Sequence, residues 1–271
     1  MSAAPSVSLV VTDLDGTFWH TDDRIDPAVV DAVRTLSERD VPLLVATGRR
    51  LTTTRGPLAR VGLTPPAVVL NGALGVDLAD ASRFHRAPYP TEQAVAVLAA
   101  FRAVGRDPVV YIDHPDVDAV LSATPSTHPD HAAAIGGPPH DLDRVVTEEA
   151  VLGFSLIGVP HGQCVEAAEA VGATAETHLD RSLEFSGLAT ITVAPHGQSK
   201  WDGVLAFCAA RGLDPERVLA LGDGTNDVEL LDGAAVALVP EVAHPVALDR
   251  ADHVIGAAAD GGWVAVLDHL G

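Results

Sequence analysis

The residues best suited to chemistry lie in two short acidic segments far apart in the chain, Asp13-Leu-Asp-Gly-Thr17 and Gly222-Asp-Gly-Thr-Asn-Asp227. A carboxylate at the end of a strand can attack phosphorus and form an aspartyl phosphate, and Asp13 is placed for that role. Asp15, two residues on, can protonate a leaving oxygen and then activate water. Gly16 and Thr17 offer backbone N–H groups and a hydroxyl to a phosphate at a turn. Asp223 and Asp227 form the second carboxylate cluster. Mg²⁺ takes octahedral oxygen ligands, mixing a few carboxylates with water and substrate phosphate. Asp13, Asp223 and the backbone carbonyl of Asp15 supply such a set, with Asp227 either a further ligand or an organiser of its waters. Thr47 can donate to the phosphoryl oxygens, and Lys200 can neutralise charge that develops on them. Alone, each piece reads as a turn, a helix cap or a solvated side chain. Their order and placement argue for a shared site.

Each segment follows an apolar run, Val7-Ser-Leu-Val-Val11 and Val218-Leu-Ala-Leu221. Between and beyond them strand patterns alternate with helical ones. Pro27 to Leu36 carries helical spacing with Pro in its first turn, Val41 to Ala46 is apolar and ends in Thr47-Gly48-Arg49, and Leu51 to Val61 is helical. Ala67 to Leu70 leads into Asn71-Gly72. Lys200 opens a helix through Cys208, and Val228 to Leu231 and Ala235 to Val239 continue the rhythm. This alternation predicts an α/β fold with a doubly wound parallel sheet, whose ligands bind beyond the carboxyl ends of the strands. The middle differs in texture. Helices are expected near Ala94 to Val104 and Cys164 to Val171, with strands at Val109 to Ile112, Leu152 to Val159, Leu183 to Phe185 and Ala189 to Val193. Ala123 to Pro139 reads as the least structured stretch, and His114, His128, His131 and His140 read as surface-loop residues ahead of an approach to substrate. The expected organisation is a catalytic core of residues 1–86 and 190–271, with an inserted α+β cap of residues 87–189.

Composition narrows the partners. The formal charge of −20 argues against nucleic acid or anionic membranes, which require clustered Lys and Arg. It would also repel a phosphorylated substrate unless a cation intervenes. No apolar run approaches bilayer-spanning length, and Met1 to Ser6 lacks the basic region of a leader. Cys164 and Cys208 show no metal-type spacing, so a reducing, cytoplasmic setting is expected.

Taken together, the motifs resemble the haloacid dehalogenase superfamily, and within it the Cof-type sugar-phosphate phosphatases with a large cap between their second and third motifs. Asp13 to Thr17 is similar to the family's nucleophile loop, Thr47 in Ala-Thr-Gly-Arg49 to its second motif, Lys200 in Gln-Ser-Lys to its third, and Gly222 to Asp227 to its fourth. Asn71-Gly-Ala73 is similar to a segment just before the cap. The resemblance implies a Rossmann-like core, Asp13 as nucleophile, Asp15 as acid/base, and Mg²⁺ held by Asp13, Asp15 and Asp223. It also implies phosphate or substrate contacts from Gly48, Asn71 and Asn226, with Asn226 alternatively bracing Lys200. Three positions depart from the pattern. Phe18-Trp19-His20 replaces two aliphatic residues, and there Trp19 reads as buried packing ahead of substrate stacking. Trp201 replaces a glycine after Lys200, and Ala237 to Pro245 replaces a Met-Gly-Asn-like turn. The expected activity is Mg²⁺-dependent hydrolysis of a small phosphorylated metabolite by a monomer or small homo-oligomer. The alternatives are a sugar phosphomutase or phosphotransferase on the same loops, or a metabolite-binding protein with an inactive site.

Overall fold

The computed structural model describes residues 7–20, 23–114, 116–182 and 184–271. Residues 1–6, read above for a leader, and Leu183 lie outside the described residues. The chain forms two compact units: residues up to Arg86 together with Ser199–Gly271, and Ala87–Gln198.

The first unit begins with β1 (Leu9–Thr12), α1 (Pro27–Glu38), β2 (Leu43–Ala46), α2 (Leu51–Arg60), β3 (Pro66–Val69), β4 (Leu74–Asp77) and β5 (Arg83–Arg86). α1 starts where the sequence places it, because the Asp26 side chain accepts the Ala28 N–H and Pro27 fills the first turn. The second unit holds α3 (Thr91–Ala103), β6 (Val109–Ile112), β7 (Ala119–Val120), α4 (Pro129–Ile135), α5 (Leu142–Glu148), β8 (Val151–Val159), α6 (His161–Val171), β9 (Glu176–Arg181) and β10 (Ala189–Ala194). The chain then returns to the first unit with α7 (Lys200–Arg211), β11 (Val218–Leu221), α8 (Val228–Gly233), β12 (Val236–Pro240), α9 (Pro245–Leu248) and β13 (His253–Ile255).

The first unit's sheet runs β13-β12-β11-β1-β2-β3-β4-β5. Its first six strands are parallel. β4 and β5 extend it as antiparallel neighbours, an extension absent from the sequence expectation because their eight residues carry three Arg or His and no apolar run. The central parallel strands are short and almost wholly apolar, as strands covered on both faces are, while the edge strand β13 exposes His253 and Val254; the core is Val, Leu and Ala with Phe207 and Cys208.

The second unit is α+β, a five-stranded antiparallel sheet ordered β7-β6-β8-β10-β9. Phe101, Phe154 and Tyr89 anchor its core. β10 bonds to β8 and β9, so this unit runs on to Gln198 rather than ending at 189. The strand expected at Leu183 to Phe185 is not formed by Glu184 and Phe185, which lie in a bend; the strand before them, β9, ends at Arg181. Within Ala123 to Pro139, α4 is ordered by its cap: His128 Nδ1 accepts the Asp130 N–H, and Pro129 occupies the first turn. His131 is buried rather than exposed, with Nδ1 2.9 Å from Glu184 Oε2. Among the described residues, no helix is long and apolar enough to cross a membrane.

Candidate active site

Strand register brings the acidic segments together. Thr12 pairs with Leu221, and the Asp13 N–H donates to the Leu221 carbonyl at 2.8 Å. Asp13 and Gly222 therefore leave the sheet side by side at the carboxyl ends of β1 and β11. On the other flank, β2 delivers Thr47. Behind the strand, Trp263 Nε1 donates to Thr12 Oγ1 (3.0 Å), which donates to the Asp13 carbonyl (2.7 Å). This chain of donors fixes the nucleophile candidate's backbone.

Lys200 reaches the same point from α7. Ser199 caps that helix in a reciprocal box with Asp202. α7 lies so close to β3 that a Cβ on Gly203 would fall 2.4 Å from Val68 Cγ1. The lysine stem is thereby sunk completely, and Nζ donates to Asp13 Oδ1 at 2.6 Å and Asp227 Oδ1 at 2.7 Å. Trp201 turns away and packs against Gly233. The absence of glycine after Lys200 therefore does not shorten its reach.

Asp227 is engaged by three donors. Besides Lys200, its Oδ2 accepts the N–H groups of Asp223 (3.0 Å) and Gly224 (2.8 Å). It braces the lysine and folds its own loop. Asp223 faces the first loop, where Thr17 Oγ1 donates to its Oδ1 at 2.7 Å. Gly16 has φ +81°, and an added Cβ would meet Asp223 Oδ2 at 2.4 Å, so only glycine lets the two loops close. His244 N–H donates to the Asp223 carbonyl at 2.8 Å, which shows what the divergent Ala237 to Pro245 segment does here. Thr47 is buried, and its Oγ1 accepts the Arg49 N–H, a contact that does not use its own O–H. Asn226 Nδ2 donates to Asn71 Oδ1 at 3.0 Å above Gly48, so Asn226 joins Asn71 and Gly48, while the bracing of Lys200 falls to Asp227.

Asp15 stands apart from this cluster. Its carboxylate is held by Arg49 Nε (2.6 Å) and Nη2 (2.5 Å) and by Trp19 Nε1 (3.1 Å). Asp23 shares the same guanidinium at 2.6 Å. Arg49 and Asp23 were not assigned roles from the sequence, and Trp19 was read as buried packing; it is buried, but its indole N–H also holds Asp15. The available signal was adjacency alone: Arg49 directly follows Thr47-Gly48, and Trp19 follows the first acidic loop.

The electrostatics of the buried cluster are unbalanced. Burial holds Asp13 well above the ordinary carboxylate range, Lys200 opposes this, and Asp227 and Asp223 reinforce it. Burial and Asp227 likewise raise Asp223 from 3.8 to about 6. Lys200 is driven upward by Asp13 and Asp227 in spite of its burial. Carboxylate oxygens of Asp13, Asp223 and Asp227 come within 4.8 Å of one another. Fully ionised, three carboxylates against one ammonium leave two negative charges, which suits a hard divalent cation bound by oxygen. Asp13 and Asp223 fit that role best, because Asp227 is already occupied by its donors.

This sets up a stability test. A carboxyl whose folded pKa is raised binds its proton more tightly in the folded state, so stability falls as pH rises between the unfolded and folded values. For Asp223 the window is pH 4 to 6 and the loss about 3 kcal/mol, at 1.36 kcal/mol per unit. With chelator, the melting temperature is expected to drop across that window. Mg²⁺ competes with those protons, so its stabilising shift should be larger at pH 7.5 than at pH 5. Melting curves with equal or absent Mg²⁺ shifts at both pH values would count against a cation here.

Fold and site define an α/β enzyme core whose acidic loops converge on one buried carboxylate at the carboxyl end of a central strand. The family model for haloacid dehalogenase-like hydrolases matches residues 10–267. The chain belongs to that family and is a hydrolase. Among curated relatives, the phosphoglycolate phosphatase of Methanopyrus kandleri is 26% identical over 265 residues, 97% of either chain. The pyridoxal phosphate phosphatase of Escherichia coli is 23% identical over 92% of this chain and 93% of its own. A solved Thermotoga maritima structure shares the fold with a TM-score of 0.80, at 18% identity and 97% coverage of each chain.

Proposed function

We propose that this hydrolase is a Mg²⁺-dependent phosphatase of small phosphorylated metabolites, acting through an aspartyl phosphate on Asp13. The observation that carries this reading is the buried bridge from Lys200 Nζ to Asp13 Oδ1 and Asp227 Oδ1. It aims one Asp13 oxygen and keeps a fixed positive charge where phosphoryl oxygens gain negative charge. In the first step an Asp13 oxygen forms a bond to phosphorus, the ester P–O bond breaks, and Asp15 gives its proton to the leaving oxygen. In the second, water attacks the same phosphorus, its proton passes to Asp15, and the Asp13 O–P bond breaks to release inorganic phosphate. Thr47 and the Asn71–Asn226 pair supply donors to the phosphoryl group, whereas the donors expected from Gly16 and Thr17 are spent inside the loops: the Thr17 hydroxyl on Asp223, its N–H on the Leu14 carbonyl and the Gly16 N–H on the Trp19 carbonyl. Mg²⁺, held by Asp13, Asp223 and the Asp15 carbonyl, supplies charge neutralisation and alignment when bound.

We read the two units as a catalytic core and an inserted cap that selects the leaving group. The relatives' names give phosphoglycolate and pyridoxal phosphate as substrates of two such enzymes, which supports a small phosphomonoester here. The test is phosphate release from a panel of such esters, with Mg²⁺ and with chelator. Mg²⁺-dependent release from at least one is the expected result. Isomerised phosphate ester without free phosphate would replace hydrolysis by mutase chemistry, and no turnover of any kind would remove the reading.

A further inference from the structure

Trp19 lies where the family pattern places an aliphatic residue, and it is 1% exposed. Size alone would explain its burial, but its one polar atom is spent on Asp15. A tight turn brings this about: the N–H groups of Phe18 and Trp19 both donate to the Leu14 carbonyl, and Gly16 N–H donates to the Trp19 carbonyl. The turn folds the chain back so that Nε1 meets Asp15 Oδ1 at 3.1 Å. Edge contacts with Phe18 lock the ring, and Phe18 in turn packs on Trp263. The Arg49 guanidinium lies 5.0 Å from the Trp19 ring centroid while its fork grips both Asp15 oxygens. Asp23 and the Thr53 carbonyl hold that guanidinium from the other side.

We propose that Trp19 and Arg49 are positioning residues for Asp15, together fixing the orientation from which its carboxyl serves the leaving group. An aliphatic residue at position 19 would offer neither the N–H nor the aromatic face. Trp19 orients one oxygen directly and seats the guanidinium that orients both. A carboxyl held by three donors cannot rotate out of line, and misplacement by about 1 Å is costly in proton transfer. The inference rests on the reading of Asp15 as the acid/base, so its test separates the two.

The measurement is kcat/KM for a good leaving group, p-nitrophenyl phosphate, against a poor one, an alkyl phosphate. The first needs little protonation of its leaving oxygen and the second needs it fully. Trp19→Phe deletes the N–H while retaining an aromatic face. It should cost the alkyl substrate about tenfold more than the aryl one, the effect of one hydrogen bond to a charged group. Arg49→Lys, which keeps the charge but loses the fork, should shift the ratio in the same direction. Equal losses on both substrates, or none, would overturn the positioning role and leave a packing role for Trp19. If Trp19→Phe fails to fold, the Arg49→Lys ratio decides alone. A wild-type enzyme inactive on every ester would instead sink the phosphatase reading itself, and this inference with it.

Discussion

Replacing Asp13 by Asn is expected to reduce phosphate release by at least about 10³-fold while leaving the fold intact, because the amide oxygen is a far poorer nucleophile toward phosphorus. The substitution preserves volume in a site where Asp13 is 6% exposed. The amide oxygen can still accept from Lys200 Nζ, which also keeps Asp227 as a partner. One of three crowded carboxylates is removed, and the one lost is held well above its ordinary value by burial and its neighbours. The metal-free variant should therefore melt no lower than the metal-free wild type at pH 7.5. Steady-state assays with p-nitrophenyl phosphate and melting curves check the two halves separately. A folded variant retaining a tenth of the activity would end the nucleophile assignment. An unfolded one would show that the carboxylate is needed structurally, against the charge argument above.

The parts of this architecture that were legible in the sequence are those governed by local pattern. β1, β2, β3, β11 and β12 are apolar runs, and each is found within a residue or two of its expected place. Asp13, Thr47 and the Gly222 loop were legible for the same reason, since the ends of adjacent parallel strands are close in space whatever their separation in sequence. What escaped depends on partners that pattern does not encode. β4 and β5 have no apolar run and hold together as a hairpin added to β3. α4 depends on His128 acting as a cap, a role that composition hides within a Pro- and His-rich tract. The Arg49–Asp15–Trp19 clamp joins a residue after β2 to two residues after β1. Only the three-dimensional adjacency of those strand ends reveals it. Trp201 was a departure without an interpretation until its ring was seen against Gly233.

Lys200 offers the sharpest separation of stability from chemistry. It is the chain's only lysine, every other basic side chain of the 17 being arginine. Arginine serves every other position, the half-buried clamp on Asp15 included, and the compact ammonium appears only where a side chain completely removed from solvent must touch two carboxylates from the end of a helix. A planar guanidinium is larger and spreads its donors over a fork, so Lys200→Arg is expected to misfit and to lose at least about 10²-fold in kcat. Lys200→Met fills the stem's volume but leaves Asp13 and Asp227 buried together without a cation. Breaking a buried pair in this way costs about 3–5 kcal/mol. The loss must depend on pH. Without the ammonium nothing opposes the burial and neighbouring carboxylates that raise Asp13, which then binds its proton more tightly in the folded than in the unfolded state, so stability falls as pH rises and the deficit is largest above neutrality. Urea denaturation at pH 5 and pH 8 should show a smaller wild-type-minus-variant difference at the lower pH. Adding Asp227→Asn to Lys200→Met should restore part of the stability at pH 8 and none of the turnover. Recovery of turnover in that double variant would mean that Lys200 acts only by relieving charge on Asp227, with no part in holding Asp13 or the phosphoryl group.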